Sequence, residues 1–75
     1  MTGTMAVLNQ TGDVKTVWDS ENEDEVSAAR KQFDDLRKKG FLAYRVKRNG
    51  TKGEVIRTFD PEAESIILAP PMVGG

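Results

Sequence analysis

The chain has 75 residues, which is enough for one small domain that buries only about 60% of its unfolded surface. Hydrophobic residues make up 37% and charged residues 31%, a composition typical of folded soluble domains rather than of disordered chains. The absence of cysteine and histidine excludes disulfides, thiol nucleophiles, zinc sites of the usual kind and the commonest general base. The formal net charge of −1 gives no bulk attraction for nucleic acid or an anionic membrane.

We expect no targeting signal at the beginning of the chain. Residues 1–5 include no basic region and no long apolar run, so we expect no signal peptide. No window approaches the roughly 20 apolar residues that a membrane span requires. We therefore expect a cytoplasmic protein without a membrane partner. Residues 1–4 are predicted to be a flexible leader, and Met5 is a second candidate for the natural start.

Two strands are predicted before the helix, over residues 5–10 and 14–18. The short link between them contains Gly12 and suits a hairpin. Alternation along the second strand places three residues on one face: Val14, Thr16 and Trp18. The opposite face carries Lys15 and Val17, and Trp18 is expected in the core.

One helix is predicted between an acidic entry at residues 19–25 and Gly40, whose lack of Cβ suits the left-handed residue that ends a helix. Two capping boxes have the right spacing, Ser20 with Glu23 or Asn22 with Glu25. The apolar stripe recurs at helical spacing: Val26, Ala29, Phe33 and Leu36. The basic residues that meet the negative end of the helix dipole are Arg37, Lys38 and Lys39.

Three further strands are predicted over residues 41–47, 54–59 and 65–69. An Asn49-Gly50 turn joins the first two, and residues 60–63 are predicted to form one helical turn with Asp60 as its cap. One helix covers only one face of a sheet, so the other face is expected to be wet. The result is an α+β domain over residues 5–69, in the order β-β-α-β-β-β.

The carboxyl end is the most informative stretch. Ile66, Ile67 and Leu68 form a continuous apolar run typical of a strand buried on both faces, in the middle of a sheet. Pro70 and Pro71 end the strand because proline has no N–H to donate and favours an extended form. Residues 70–75 are therefore predicted to be an extended tail that ends in Gly74 and Gly75. Those glycines are either a frayed end or a reactive terminus that fits a narrow active site.

Residues 66–75, Ile-Ile-Leu-Ala-Pro-Pro-Met-Val-Gly-Gly, resemble the carboxyl terminus of the molybdopterin-synthase small subunit, a ubiquitin-like sulfur carrier. The family ends in an apolar strand followed by Pro-Pro-x-x-Gly-Gly. The positions that match are Pro70, Pro71, Gly74 and Gly75. The resemblance implies the ubiquitin-like β-grasp fold, a mixed sheet of about five strands with one main helix on one face. In that fold the last strand is central and parallel to the first. Residues 60–64 and the basic hairpin around Asn49-Gly50 have no counterpart in the family pattern.

The resemblance also implies a function. A partner activating enzyme would use ATP and Mg²⁺ to adenylate the Gly75 carboxylate, which would then carry sulfur or be joined to an acceptor protein. The carrier itself would bind no cofactor and would not be an enzyme. Met72 and Val73 are candidates for docking to that partner together with Pro70 and Pro71, and the alternative for Met72 is that it folds back on the sheet and covers core. Arg45 and Arg57 are candidates for a basic wet face of the sheet, or are ordinary solvated charges.

Other functions stay open at this point. The chain could be a non-catalytic interaction module in which the Gly-Gly tail is unused, since one fold hosts many functions. A nucleic-acid binder is disfavoured by the net charge, although one hairpin combines an aromatic residue with basic ones: Tyr44, Arg45, Lys47, Arg48, Lys52 and Arg57. A catalytic carboxylate pair is also disfavoured, because Asp34 and Asp35 are adjacent on a helix and diverge.

Overall fold

The computed structural model describes residues 1–9, 12–46 and 53–71. In these residues five strands and one helix follow one another along the chain: β1 (Thr2–Asn9), β2 (Gly12–Asp19), α1 (Glu23–Lys38), β3 (Leu42–Val46), β4 (Glu54–Ile56) and β5 (Ser65–Ala69). The strands form one mixed sheet in the order β2-β1-β5-β3-β4. The predicted α+β class, with a five-stranded sheet and one helix, is confirmed. No helix in the described part of the chain is long and apolar enough to cross a membrane.

Strand β5 is the centre of the sheet. It pairs in parallel with β1, with Ile67 opposite Ala6, and antiparallel with β3, with Ile67 also opposite Tyr44. Ile66 and Leu68 point toward the helix and are completely buried. Ile67 points to the other face and is only half-buried, so the expectation that this strand is buried on both faces is wrong for that residue. The central position is explained by three consecutive aliphatic residues, which would be a liability at a sheet edge.

The core lies between α1 and one face of the sheet. Trp18 is completely buried, as predicted, and its ring meets that of Phe59 edge to face at 5.0 Å. The indole Nε1 donates a hydrogen bond to the Pro61 carbonyl oxygen at 3.0 Å. Phe59 also packs edge to face on Phe33 of the helix, at 5.8 Å. The buried apolar residues are Met5, Val7, Trp18, Ala29, Phe33, Ala43, Phe59, Ala63, Ile66 and Leu68.

Asn22 caps the start of the helix, so of the two predicted caps, Ser20 and Asn22, the structure has Asn22. The Asn22 Oδ1 atom accepts hydrogen bonds from the backbone N–H groups of Asp24, at 3.1 Å, and Glu25, at 3.3 Å. The Glu25 carboxylate in turn accepts from the side-chain Nδ2 of Asn22 at 3.0 Å and from the Asp19 N–H of β2 at 2.9 Å. The two bonds to Asn22 Oδ1 satisfy N–H groups that a helix start leaves without intrahelical partners.

The helix ends at Gly40, as predicted. Gly40 has a φ of +95°, a left-handed conformation that residues with a Cβ rarely adopt. Its N–H donates to the Arg37 carbonyl at 3.0 Å, and the Phe41 N–H donates to the Leu36 carbonyl at 3.1 Å. This pair of bonds is the Schellman motif. The Arg37 guanidinium donates a further bond to the Phe41 carbonyl at 2.6 Å.

The first strand is longer than predicted. It begins at Thr2, so the flexible leader expected over residues 1–4 is wrong for Thr2 and the two residues after it. The physical reason is Gly3, which is buried opposite Trp18. A Cβ on Gly3 would lie 2.6 Å from the Trp18 Cε2 atom and 2.7 Å from the Ala63 carbonyl oxygen. The glycine therefore lets the indole lie directly on the β1 backbone.

The fourth strand is shorter than predicted, and the turn after it differs in kind. Strand β4 ends at Ile56, so Phe59 enters the core from an irregular segment rather than from a strand. Residues 60–63 form a turn instead of a helical turn, closed by the Ala63 N–H on the Asp60 carbonyl at 3.1 Å. The predicted capping role of Asp60 is confirmed, since its Oδ1 atom accepts from the Glu62 N–H at 3.0 Å. The predicted Asn49-Gly50 turn lies outside the described residues.

Candidate partner surface and chain terminus

The tail leaves the sheet directly from its central strand. Ala69, the last residue of β5, is paired with Leu42 of β3. Pro70 and Pro71 follow it and are exposed, and a Cβ added to Gly40 would lie 3.5 Å from the Pro71 Cβ atom. The diproline therefore passes beside the end of α1. The remaining tail residues that the sequence singles out lie outside the described residues: Met72, Val73, Gly74 and Gly75.

The sheet face opposite the helix, which we call the open face, is largely apolar, although Thr4, Lys15 and Ser65 also lie on it. Its most exposed large apolar side chains are Val17 at 60%, Val55 at 57% and Leu42 at 44%. Strand alternation places five more residues on the same face: Ala6, Leu8, Tyr44, Ile67 and Ala69. Contiguous exposed apolar surface of this kind is typical of a binding surface. The prediction of one covered face and one wet face is confirmed, but the wet face is less polar than alternation alone suggests.

The open face extends to the point where the tail begins. Val7 is paired with Leu68, and Leu42 with Ala69. Leu8 and Leu42 therefore lie on either side of Ala69, and both are exposed. A partner that covers this row of residues would also hold the first residues of the tail.

Arg45 lies on the helix side of the sheet rather than on the open face. One guanidinium nitrogen is 2.8 Å from the Asp60 carboxylate, and another is 2.5 Å from the Glu54 carboxylate. The hydrogen bond to Asp60, followed by that to Glu54, raises the pKa of Arg45 above its ordinary value. Arg45 thus connects β3 to β4 and to the turn that precedes β5.

Arg57 is exposed and follows the end of β4. The structure therefore does not bring the two arginines together on the open face, and their role in partner docking stays a prediction. Of the other residues in the hairpin considered for nucleic acid, Tyr44 is half-buried on the open face, and Lys47, Arg48 and Lys52 lie outside the described residues.

The acidic residues at the start of the helix serve the cap. Asn22 and Glu25 exchange hydrogen bonds there, and the Asp19 carboxylate accepts from the Glu21 N–H at 3.0 Å. Within residues 1–9, 12–46 and 53–71 no group of three or more acidic side chains converges as a metal site would. The contacts of these carboxylates are therefore those of a helix start.

The sequence reasoning missed the apolar character of the open face. Alternation predicts Val17 only as a residue on the face opposite Trp18, and it gives no reason to place Val17 on the same surface as Val55. The signal was present in the sequence, because β2 and β3 carry apolar or aromatic residues at successive positions, as in Val17-Trp18 and Leu42-Ala43-Tyr44. The apolar surface could be identified only from the order of the strands in the sheet, which brings these apolar residues of different strands onto one face.

No protein-family model, curated protein or solved structure matches this chain. The function is therefore argued from the residues and their geometry.

Proposed function

We propose that the chain is a ubiquitin-like β-grasp carrier or modifier protein whose Gly75 carboxylate is activated by a partner enzyme. The observation that carries the proposal is the placement of β5. It is the central strand, it is parallel to β1, and it continues without a loop into Pro70 and Pro71. This arrangement supports a rigid base for the Pro-Pro-x-x-Gly-Gly tail. The proposal requires Gly75 to be the carboxyl terminus of the mature protein.

The chemistry needs activation because a carboxylate is a poor electrophile. In the proposed reaction a Gly75 carboxylate oxygen attacks the α-phosphorus of ATP, an acyl adenylate forms, and pyrophosphate leaves. A hydrosulfide-class nucleophile then attacks the carbonyl carbon, the bond to the AMP oxygen breaks, and AMP leaves with the electron pair. The product is a thiocarboxylate. If a lysine amine of an acceptor protein attacks instead, an amide forms, AMP leaves, and the amine loses a proton to solvent.

The carrier contributes position rather than catalysis in this scheme. ATP, Mg²⁺ and the groups that bind phosphate belong to the activating enzyme, and the carrier binds no cofactor. Two glycines at the end of the tail allow close approach of the enzyme backbone because they have no Cβ. Met72 and Val73 would add apolar contacts between the tail and the activating enzyme.

The activating enzyme is the proposed occupant of the open face. Support comes from continuity, because the exposed Leu8 and Leu42 flank Ala69 at the base of the tail. Apolar surface buried at the open face supplies affinity at about 25 cal/mol per Å² before the costs of association. The tail then supplies the reactive group, so affinity and chemistry reside in adjacent parts of the chain.

Tail variants test the proposal. The full chain is incubated with a lysate of its native cells, ATP and Mg²⁺, and its intact mass is followed. Deleting Gly75, or adding one alanine after it, should abolish any ATP-dependent change of mass without altering the unfolding midpoint. An ATP-dependent change that persists in both variants would contradict the proposal, since neither variant presents the required Gly-Gly carboxylate.

The second candidate function is a non-covalent interaction module, and the exposed open face favours it independently of the tail. The two candidates differ in what the tail does. A module keeps its partner when Gly74 and Gly75 are deleted but loses it when Leu42 becomes aspartate. A carrier loses its ATP-dependent modification when the glycines are deleted, and is modified more slowly when Leu42 becomes aspartate.

A further inference from the structure

A groove on the helix side of the molecule lies between α1 and the outer strand β2. It has a volume of about 470 Å³. Its apolar lining comes from Val7, Val14, Ala28 and Leu36. Gln32 also lines it, and this side chain receives a hydrogen bond from the Thr16 hydroxyl of β2 at 2.7 Å. The groove is therefore an apolar channel along one edge of the sheet, and neither the open face nor the tail contributes to it.

The edge of β2 beside this groove has free hydrogen-bonding groups. The Ser20 N–H donates to the Met1 carbonyl at 2.8 Å, which sets the phase of the antiparallel ladder between β1 and β2. Residue pairs along an antiparallel ladder alternate between pairs that hydrogen-bond to each other and pairs that do not. Met1 and Ser20 are a bonded pair, so Lys15 and Val17 belong to pairs that do not bond. Their backbone N–H and C=O groups therefore point away from β1. The Thr4 N–H confirms this phase, because it faces β5 and donates to the Glu64 carbonyl at 3.1 Å.

The same edge is closed at one end. The Asp19 N–H also points away from β1, and it is occupied by the Glu25 carboxylate at 2.9 Å. Among the described residues, no side chain accepts a hydrogen bond from the backbone N–H of Lys15 or Val17. An extended peptide is the ligand that matches two outward N–H groups and two outward C=O groups at strand spacing.

The charged side chains that line the groove are two lysines, Lys31 and Lys39, and one carboxylate, Asp35. Lys15 lies on β2 itself, and the Asp19 and Glu25 carboxylates at the closed end of the edge already accept hydrogen bonds from backbone N–H groups. None of these three lysines forms an ion pair with a described carboxylate. An acidic peptide is therefore complementary in charge, and a lysine on the edge opposes pairing with basic or neutral strands.

We propose that the edge of β2 is a binding site for an extended acidic peptide of another protein, which adds a strand to the sheet and places an aliphatic side chain in the groove beside α1. Main-chain hydrogen bonds to Lys15 and Val17 supply the pairing. The groove selects the aliphatic residue, and the lysines select acidic neighbours. The site does not use Gly75, so it goes beyond the proposed function and stands or falls separately from it.

The test uses the full chain labelled with ¹⁵N and a synthetic probe, acetyl-Glu-Val-Glu-Val-Glu-amide. NMR titration should shift the amides of Lys15, Val17 and Lys31, and should slow hydrogen exchange at Lys15 and Val17. A probe with lysine in place of glutamate should bind at least about 10-fold more weakly. Shifts confined to β4 or to the part of the open face outside β2, equal binding of the basic probe, or no shift at β2 up to about 1 mM peptide would each overturn the proposal.

Variants of the edge separate the backbone contribution from the side-chain contribution. Val17→Pro removes an outward N–H while leaving the ladder with β1 intact, and should weaken binding at least about 10-fold. Val17→Thr keeps that N–H and should bind within about twofold of wild type. Lys31→Glu should weaken binding about two- to fivefold, while the neighbouring control Arg30→Glu, outside the groove, should have a smaller effect. Wild-type affinity in Val17→Pro would overturn strand addition.

A modified probe keeps the test valid if Val17→Pro unfolds the protein. Methylating either the glutamate amides or the valine amides removes the donors from one edge of the peptide only. Strand addition predicts that one of the two methylated probes loses binding and the other retains it. Equal behaviour of the two would overturn the proposal. Shifts at β2 that depend on protein concentration without any peptide would also overturn it, because they would identify a second copy of the chain as the occupant.

Discussion

Gly3 and Trp18 show how one residue without a side chain determines the start of a strand. The indole occupies the space above the β1 backbone, and its Nε1 atom reaches the Pro61 carbonyl on the far side. Trp18 could be predicted as core from its size and its alternation with polar neighbours. The role of Gly3 could not, because its contacts are with residues 15 and 60 positions away in the chain.

Gly3→Ala should destabilise the fold because its Cβ would overlap the indole and the Ala63 carbonyl oxygen. The expected loss is about 1–3 kcal/mol of unfolding free energy, measured by urea denaturation. The matched test is a double-mutant cycle with Trp18→Phe. If the overlap with the indole is the cause, the two losses will be less than additive, since the smaller ring relieves part of it. Strict additivity would contradict this account.

The Asp19 carboxylate predicts a pH dependence of stability. Its hydrogen bond from the Glu21 N–H lowers its pKa below the ordinary value of 3.8, and the nearby Met1 amine contributes in the same direction. A carboxylate with a lowered pKa in the folded state stabilises the fold above the unfolded-state pKa. This contribution is lost as the pH falls through the folded-state pKa.

Asp19→Asn should therefore lower stability at neutral pH and reduce the further loss of stability on acidification. Urea unfolding at about pH 7 and at about pH 2 would measure both effects. The neutral amide still has an oxygen that can accept from Glu21, so the comparison isolates the charge. A variant that loses as much stability on acidification as wild type would show that Asp19 does not contribute to the acid dependence.

At the scale of elements, the helix shows where local sequence is sufficient. Its apolar stripe, its acidic start and Gly40 all lie within one continuous segment, and each acts on neighbouring residues. The ends of this helix could therefore be predicted closely. The choice between Ser20 and Asn22 as cap could not, because both have a glutamate three residues later.

Asn22→Ala should cost about 1 kcal/mol of unfolding free energy, because two backbone N–H groups lose the side-chain oxygen that accepts from them. Ser20→Ala is the control and should change stability by less than about 0.5 kcal/mol, since the cap is at Asn22. Thermal or urea unfolding of the two variants measures the difference. A larger loss of stability for Ser20→Ala than for Asn22→Ala would contradict the assignment of Asn22 as the cap.

The shortened β4 shows where local sequence is not sufficient. Residues 54–59 have the composition of a strand, but Phe59 is needed between Trp18 and Phe33. Arg45 pairs with Asp60, 15 residues away, and this contact accompanies the departure of the chain from the sheet. Both are contacts between residues far apart in the chain. The alternation of apolar and polar residues therefore predicts neither the end of β4 nor the position of Arg45 on the helix side of the sheet.

At the scale of the whole molecule, the position of β5 could be predicted and the open face could not. Three consecutive aliphatic residues favour a central strand, which is a property of the segment itself. The open face is a property of the sheet order, which assembles Val17, Leu42 and Val55 from three strands. The tail motif could be recognised only from residues 70–75, four of which lie outside the described part of the chain.

The open face and the groove beside α1 should have separable roles. Leu42→Asp places a charge on the open face beside the tail and should slow ATP-dependent modification at least about 10-fold, through loss of apolar contact with the activating enzyme. Ala28→Asp places the same charge in the groove and should leave that rate unchanged. Circular dichroism shows whether both variants remain folded. Equal rates for Leu42→Asp and wild type would show that the enzyme does not use the open face.

The measurement that tests the central claim most directly is the mass of the carboxyl-terminal peptide of the protein isolated from its native cells. If the chain is a carrier or modifier, this peptide ends at Gly75. It then shows either a mass increase equal to replacing one oxygen by sulfur or an amide link from Gly75 to a lysine of another protein. A terminus other than Gly75, or an unmodified Gly75 that also shows no ATP-dependent change in lysate, would contradict the carrier function.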